Sequence, residues 1–252
     1  MEIFRTYEEG IDAIAKGSVD FVRFGPASYI TAQNRNQNIE LLAMEVDEDR
    51  GKWFDGVIVV RKDSKIQTLS DLHGCKFAFG DKNSTIGRYL VQDILAKAGI
   101  YAHHLKKYAY LGSHDAVAEA VIEGKFDAGA VKESTYERYK KDLRKIAIFS
   151  NVTKPWIARA GLSRTVCASL QRVLLNIQDP NSLKPIKVGG FAEPDDEAYD
   201  YVRDRMEWSK AFFPWWYVFM HQWPVTLAGL IVIGTVVYGL VTFAKRRRAV
   251  AT

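Results

Sequence analysis

The chain has few residues of the kinds that build disulfide frameworks or metal sites. Only two of its 252 residues are cysteine, Cys75 and Cys167, and no metal-ligand spacing surrounds either one. This pattern excludes a disulfide framework, so we interpret both as small core residues, with Cys75 in a buried strand. His103 and His104 are neighbours, but adjacent side chains of an extended segment point in opposite directions and form no ligand pair. We therefore expect no metal and no cofactor.

The sequence also lacks the motifs of common catalysts and nucleic-acid-binding proteins. It contains neither a Gly-x-Ser-x-Gly elbow nor a Gly-x-x-x-x-Gly-Lys phosphate loop. The net charge is +5, but the basic run Lys245–Arg248 supplies four of these charges. Basic and aromatic residues are not interleaved as they are in proteins that bind single strands. We expect neither an enzyme nor a nucleic-acid partner.

Charged side chains are missing altogether between Ala211 and Ala244. The apolar part of this run, Pro224–Ala244, is long enough to cross a hydrocarbon core of roughly 30 Å at about 1.5 Å per residue. Tryptophan and tyrosine residues crowd the side before it and basic residues close the other side, as at the two interfaces of a membrane. A buried core helix is the alternative. The predicted segments are an aromatic interfacial segment over 208–223, a transmembrane helix over 224–244 and a basic tail over 245–252.

The basic tail also predicts the orientation of the chain. By the positive-inside rule the C-terminus is cytoplasmic, and the long part before the helix lies outside the cytoplasm. However, the N-terminal sequence that starts with Met1–Arg5 has no signal-peptide pattern with an apolar central region. Either the export signal has been lost from this chain, which is the interpretation we favour, or the C-terminal helix does all the targeting.

Strand and helix patterns alternate along the rest of the chain. This alternation is typical of an α/β fold with largely parallel sheets. Glu9–Asp20 and Ala116–Asp127 both run from a helix through Gly and two spacer residues to an Asp before a strand, which indicates two similar lobes with a cleft between them. The predicted strands cover 2–5, 19–24, 39–46, 54–61, 75–79, 105–110, 126–131, 146–149 and a return segment near 156–159; the predicted helices cover 7–16, 26–35, 69–72, 84–98, 113–123, 133–141, 163–177 and 195–206.

One stretch, Phe77–Leu90, has the pattern of an anion-binding turn. A short apolar strand leads through a polar turn into a helix that Ser84 is expected to cap. The first helical turn then offers free backbone N–H groups, the positive end of the helix dipole and the hydroxyls of Ser84 and Thr85. The alternative is an ordinary strand–turn–helix joint that binds nothing.

Several short motifs together resemble a known family. The motifs are Tyr7–Glu9, Gly17–Asp20, Gly25–Tyr29, Asp71–Gly74, Asp81–Gly87, Gly112–Asp115, Gly124–Asp127 and Gly190–Tyr199. In order and spacing they are similar to those of the phosphate/phosphonate substrate-binding proteins of ABC importers, from the first residues to about Glu207. The resemblance implies a type II periplasmic-binding-protein fold, in which two α/β lobes joined by two crossover strands close on a ligand.

The resemblance also implies a division of the chain. Lobe 1 would cover 1–56, lobe 2 would cover 57–150, and 151–207 would return to lobe 1. Members of the family have a further strand and helix before the segment that corresponds to 2–5, so we expect a truncated chain with an incomplete and less stable lobe 1.

The family's oxyanion site is a Ser-Thr-Ser-Gly turn at a helix start. Here Ser84 and Thr85 match it, whereas Ile86 replaces the third hydroxyl residue and leaves only its backbone N–H. The family's histidine is matched by His114, which could donate to a phosphoryl oxygen and gain charge on binding. The alternative for His114 is a helix-start residue that bonds only to backbone.

Three other positions follow from the same resemblance. Tyr29 matches an aromatic residue on the cleft side of lobe 1, and Ser28 precedes it in the same motif. Lys132 departs from the family, which tends to have an acidic or small polar residue there to hold the amino group of an aminoalkyl phosphonate. We therefore expect a plainer anion to be preferred over an amino-bearing ligand. The alternative is that Lys132 points into solvent and Glu133 takes the polar role.

The function that these expectations favour is capture of a small oxyanion. A membrane-tethered binding protein would take up a phosphate- or phosphonate-like ligand outside the cytoplasm, close its lobes on it and deliver it to the permease of an ABC importer. The alternative is a ligand-sensing ectodomain that reports to a separate membrane partner, which the C-terminal membrane helix favours.

Overall fold

The computed structural model of this chain describes residues 3–217. Its contacts group the chain into two compact units, Met1–Phe212 and Phe213–Thr252. In the second unit the description ends at Tyr217, whose ring centroid lies 6.3 Å from that of Phe213. The first unit contains all the strands and helices named below.

The strands of the first unit form two sheets. The first sheet has the order β1-β8-β2-β9 and the second the order β5-β4-β6-β3-β7. The first sheet therefore takes its strands from both ends of the unit, and the second takes them from the middle. The strands are β1 (Phe21–Arg23), β2 (Glu40–Val46), β3 (Trp53–Arg61), β4 (Lys76–Phe79), β5 (Lys107–Tyr110), β6 (Ala128–Lys132), β7 (Leu143–Val152), β8 (Pro155–Ala158) and β9 (Gly190–Ala192).

The prediction of largely parallel sheets is wrong for the described strands. Every pairing in the first sheet is antiparallel. In the second sheet β4 runs parallel to β5 and β6, but β3 runs antiparallel to β6 and β7. The return strand β8 inserts between β1 and β2 and opposes both of them. Hydrophobic periodicity locates strands along the chain but does not specify their order or direction.

The helices pack against the sheets through three hydrophobic clusters. One joins α1, α2 and α8 to the first sheet, a second joins α4 to the second sheet, and a third joins α6 to the first sheet. Cys167 lies in the third cluster, as expected, whereas Cys75 is half-buried and precedes β4 instead of lying in a strand. The helices are α1 (Tyr7–Lys16), α2 (Pro26–Arg35), α3 (Val91–Lys97), α4 (His114–Ile122), α5 (Glu133–Tyr139), α6 (Arg164–Asn176), α7 (Pro180–Leu183) and α8 (Asp200–Trp208).

The helix predicted over 84–98 is of two kinds. Ser84 caps it as predicted, because the Ser84 hydroxyl accepts the Gly87 N–H at 2.9 Å. Residues Thr85–Leu90, however, form a π-helix, and α3 begins only after it. The wider turn lies directly against the end of β4, where the Gly80 N–H donates to the Gly87 carbonyl at 2.8 Å. A Cβ atom on Gly87 would stand only 2.8 Å from the Gly80 Cα.

Predictions at the two ends of the chain have different outcomes. The strand predicted over 2–5 is wrong for the described residues 3–5, which pair with no described strand and leave Ile3 83% exposed. An apolar segment forms a strand only where a sheet edge offers it backbone partners, which periodicity does not reveal. The lobe boundaries stay predictions, because the contacts place residues 1–212 in one unit.

The predicted transmembrane helix over 224–244 and the tail over 245–252 lie outside the described residues and stay predictions. Within residues 3–217, no helix combines the length and the apolar character needed to span a bilayer. The predicted interfacial segment is described only in part. Trp208 ends α8, where the Lys97 amine lies 4.4 Å from its ring centroid, and Trp215 is 80% exposed.

Candidate functional site

A cavity of about 810 Å³ opens between the two sheets of the first unit. We call it the inter-sheet cavity. Its walls come from the ends of β1 and β2 on one side and from β6, the first turn of α4 and α5 on the other, and the link between β7 and β8 joins the two sides. The residues used below that line it are Tyr7, Arg23, Glu45, Ser113, His114, Asp115, Lys132, Thr153 and Lys154.

The N-terminus of α4 faces this cavity. The Ser113 hydroxyl caps the helix by accepting the Ala116 N–H at 3.1 Å, and His114 is the first helical residue. The His114 ring contacts the Ala130 backbone, and its buried Nδ1 atom has no hydrogen-bond partner among the described residues. Burial, with the charge of Lys132 as the next cause, lowers the pKa of His114 to about 3. The ring is therefore neutral in the absence of a ligand, and the expectation that it gains charge on binding stays a prediction.

Two lysines lie side by side in the inter-sheet cavity. Lys132 ends β6 and Lys154 lies in the link before β8, and their amines are in contact. Burial and then the neighbouring Lys132 lower the pKa of Lys154 from its ordinary 10.5 to about 7, and burial and then Arg23 lower the pKa of Lys132. Among the ion pairs of residues 3–217, neither lysine has a carboxylate partner. Buried charges without a partner are costly, so this pair favours the approach of an anion.

The buried carboxylate whose charge acts on both lysines is already paired. Glu45 is 5% exposed and binds the Arg23 guanidinium through both of its oxygens, one of them at 3.0 Å. It also accepts the indole N–H of Trp156 at 3.0 Å. The other carboxylates that line the cavity are of two kinds. Asp55, Asp115, Glu133 and Glu137 form ion pairs with arginine or lysine side chains, whereas Asp47 and Asp49 form none among the described residues. The excess of positive charge is therefore local to the lysine pair and does not extend to the whole cavity.

A hydroxyl next to Lys154 is also unpartnered. Thr153 is 4% exposed, lines the inter-sheet cavity, and its Oγ1 atom has no hydrogen-bond partner among the described residues. Buried polar atoms in native proteins are nearly always hydrogen-bonded. Lys132, Lys154, His114 and this hydroxyl together give the cavity several polar groups that are available to a ligand.

The predicted oxyanion turn does not line this cavity. Ser84 and Thr85 are each 4% exposed and Ile86 is 2% exposed. The Thr85 hydroxyl accepts the backbone N–H of Ala27, in the first turn of α2, at 2.9 Å. Tyr7 connects the two regions, because it lines the cavity and its hydroxyl contacts Ser84. The turn thus faces the start of α2, and its hydroxyls are engaged with protein partners.

Ser28 and Tyr29 also lie away from the cavity. The Ser28 hydroxyl donates to the Asn83 carbonyl at 3.3 Å. Tyr29 is 1% exposed, its hydroxyl donates to Asp196 at 2.6 Å, and its ring packs edge-on against Tyr199. The expectation that Tyr29 faces the cleft is therefore wrong for this structure: its ring belongs to the core, and its hydroxyl is satisfied by a residue far along the chain.

Of the predicted site residues, the structure brings His114 and Lys132 together in one cavity. Lys132 lies inside the cavity instead of pointing into solvent, and Glu133 pairs with Lys145 at 2.5 Å. Sequence reasoning missed Lys154. The signal that could have found it is its place in the crossover into the return strand, since ligands of α/β proteins gather where strands end.

Comparisons with known proteins identify a family and several relatives. A sequence model of the family described as "ABC transporter, phosphonate, periplasmic substrate-binding protein" matches residues 1–199. The chain is 33% identical over 159 residues to the "Probable ABC transporter phosphite binding protein PhnD1" of Prochlorococcus marinus, a match that covers 60% of this chain and 52% of that protein. It is 30% identical over 132 residues to the "Phosphate-import protein PhnD" of Mycolicibacterium smegmatis, covering 49% and 41%.

A solved structure supports the same relation. PhnD1 of Prochlorococcus marinus in complex with methylphosphonate superimposes with a TM-score of 0.74 at 26% identity, covering 82% of this chain and 84% of that one. The chain therefore has the α/β fold of these periplasmic binding proteins, as predicted. In sequence, it spans about half the length of the curated relatives that it matches, 52% and 41%.

Proposed function

Because the chain belongs to the ABC-transporter family of phosphonate periplasmic substrate-binding proteins, we propose that it binds a phosphate- or phosphonate-like oxyanion in the inter-sheet cavity. The relatives are substrate-binding proteins and not enzymes, which agrees with the expectation of a non-enzymatic chain. Two relatives are named for phosphite and phosphate, and the solved structure contains methylphosphonate, all of which are small phosphorus oxyanions.

The observation that carries the proposal is the excess of positive charge at the lysine pair of Lys132 and Lys154. These two amines lie in contact in one cavity, without a carboxylate partner among the described ion pairs. The first turn of α4 supplies the positive end of a helix dipole to the same cavity. The positive charge of the pair attracts an oxyanion into the cavity, and an oxyanion at the first turn of α4 then gains hydrogen bonds from the backbone N–H groups there.

The Ser84 turn supplies the second part of the proposed site. In this proposal the hydroxyls of Ser84 and Thr85, the backbone N–H of Ile86 and the Ser28 hydroxyl reach the ligand when the lobes rearrange around it. Contact between Tyr7, at the cavity wall, and Ser84 supports a route between the two parts. The ligand competes with the bond from the Ala27 N–H to Thr85, so binding and lobe movement are coupled.

The partners of the chain follow from the family and from the predicted membrane helix. The ligand-bound closed form is delivered to the permease of an ABC importer. The segment over 224–244 tethers the binding unit outside the cytoplasm. The alternative predicted from the sequence, a sensor ectodomain with a separate membrane partner, shares the binding step and differs in the partner. Neighbouring genes for a permease and an ATPase, or for a kinase and a regulator, distinguish the two.

A thermal-shift screen of the full chain tests the binding step. Phosphate, phosphite and methylphosphonate are compared with chloride at equal ionic strength, so that general salt effects cancel. A ligand at about a hundred times its dissociation constant stabilises by about 2.7 kcal/mol, which for a unit of this size is a shift of about 5–10 °C. A shift with at least one phosphorus oxyanion is expected. Melting temperatures that are the same in all of these salts would contradict the proposal.

A further inference from the structure

The inter-sheet cavity is larger than a small oxyanion requires. Its volume of about 810 Å³ falls in the range of about 300–1,000 Å³ that is usual for sites of drug-sized organic ligands. It also presents anion-binding groups on two separate segments. The N-terminus of α4 lies on one segment, and Thr153 and Lys154 lie on the link between β7 and β8, beside Lys132 at the end of β6.

Resting on the function proposed above, we propose that Lys132, Lys154 and Thr153 form a second anion subsite, so that the preferred ligand is a phosphonate that carries a carboxylate. The phosphonate group lies at the α4 side of the cavity. The carboxylate accepts hydrogen bonds from the two amines and from the Thr153 hydroxyl.

Three features of the subsite favour a carboxylate as its occupant. The two amines bring positive charge without a carboxylate of the protein as ion-pair partner in the described part of the chain. Thr153, 4% exposed, adds a buried hydroxyl without a hydrogen-bond partner among the described residues. A carboxylate has two oxygens and about four lone-pair positions, enough for three such donors. One carboxylate can therefore accept hydrogen bonds from all three donors, and its negative charge balances that of the amines.

The same charges disfavour an amino group. A ligand ammonium at this place would lie beside two lysines, and the nearby Glu45 is occupied by Arg23 and by the indole N–H of Trp156. Like charges in a partly buried site repel strongly because little water screens them. An aminoalkyl phosphonate is therefore expected to bind more weakly than methylphosphonate, which has no second group.

Isothermal titration calorimetry of the full chain tests the subsite with three matched ligands: phosphonoacetate, methylphosphonate and 2-aminoethylphosphonate. Each is titrated into the wild type and into Lys154→Gln, Lys132→Gln and Thr153→Val. Lys106→Gln is the control. Lys106 is exposed and directly precedes β5, whereas the cavity lies at the other end of that strand. The substitution therefore removes one positive charge at a distance from the cavity. Circular dichroism confirms that each variant is folded.

The expected order of affinity is phosphonoacetate, then methylphosphonate, then 2-aminoethylphosphonate. Each lysine variant lowers the phosphonoacetate affinity by at least about tenfold, and Thr153→Val lowers it by about fivefold, as expected for hydrogen bonds with and without a charged donor. The methylphosphonate affinity changes by less than about threefold in these variants, which is within the long-range effect of one charge. The Lys106→Gln control binds all three ligands as the wild type does.

Other outcomes separate the two proposals. If methylphosphonate binds but phosphonoacetate does not bind more tightly, the second subsite is wrong and the proposed function stands. If the lysine variants weaken both ligands equally, the lysines hold the phosphonate itself, which also overturns the subsite. Tightest binding of 2-aminoethylphosphonate overturns it as well. If none of the three ligands binds to the wild type, the subsite is wrong, and the proposed function fails with it when phosphate and phosphite also give no thermal shift.

Discussion

Replacing Lys154 by methionine is expected to make the protein more stable and a poorer binder of phosphonoacetate. Methionine has about the same length and fills the same space without a charge. Burial and the neighbouring Lys132 lower the pKa of Lys154 from 10.5 to about 7, which means that the folded state carries the charge at a cost. Removing the charge removes this cost, while the backbone bond from Glu45 N–H to the Lys154 carbonyl at 2.9 Å stays in place.

The size and the pH window of the effect follow from the pKa of Lys154. The lowering from 10.5 to about 7 is equivalent to roughly 5 kcal/mol at about 1.4 kcal/mol per pH unit, and solvent at the cavity opening screens part of it, so we expect a gain of about 2 kcal/mol. Below about pH 7 both the folded and the unfolded states bind the proton, and the full cost is present. Between about pH 7 and 10.5 the folded state loses the proton first, so the wild type recovers stability as the pH rises.

Urea denaturation of the full chain at about pH 6 and about pH 9.5, followed by circular dichroism, measures this difference. Lys154→Met is expected to be more stable than the wild type by about 2 kcal/mol at the lower pH and by much less at the higher pH. The control is Lys106→Met, which changes an exposed lysine and should show no pH-dependent difference. A variant that is less stable than the wild type at the lower pH, or a gain of equal size at both pH values, would refute the reasoning.

Three further predictions concern the turn and the cavity. Thr85→Val removes the acceptor of the Ala27 N–H, so chemical denaturation should show a loss of about 1–3 kcal/mol; an unchanged midpoint would show that this bond does not matter. Gly87→Ala places a Cβ 2.8 Å from the Gly80 Cα and should lower stability by about 1–3 kcal/mol, measured as a lower melting temperature; a wild-type melting temperature contradicts the close contact. Phosphonoacetate affinity, measured by calorimetry, should fall as the pH rises above about 7 because Lys154 then loses its proton, and Lys154→Gln should flatten that dependence; a fall that is as steep in the variant contradicts it.

Local patterns in the sequence were sufficient to predict most elements of the fold. The apolar run of β3, the cap at Ser84 and the proline at the start of α2 each depend on neighbours within a few residues, and each is present in the structure. The helix-start position of His114 was predicted for the same reason. Short-range pattern and capping chemistry act before tertiary contacts, which makes such features readable from sequence.

Long-range pairing was what the sequence could not reveal. Tyr29 is buried because its hydroxyl meets Asp196 across the unit. Thr85 turns to the Ala27 N–H instead of the cavity, and strand order depends on where β8 inserts. Lys154 acquires its role only beside Lys132, a contact between two segments that no local pattern connects. In each case the partner comes from a distant part of the chain, so its identity is decided by tertiary packing.

The central claim is that the inter-sheet cavity binds a phosphorus oxyanion, and a crystal structure of the full chain with methylphosphonate tests it most directly. The account predicts a phosphonate group inside the cavity, with oxygens at hydrogen-bonding distance from the first turn of α4. The Thr153 hydroxyl and the Lys132 and Lys154 amines are expected to make no contact with these oxygens. A phosphonate bound elsewhere on the protein, or a cavity without ligand in crystals grown at saturating methylphosphonate, would contradict the account.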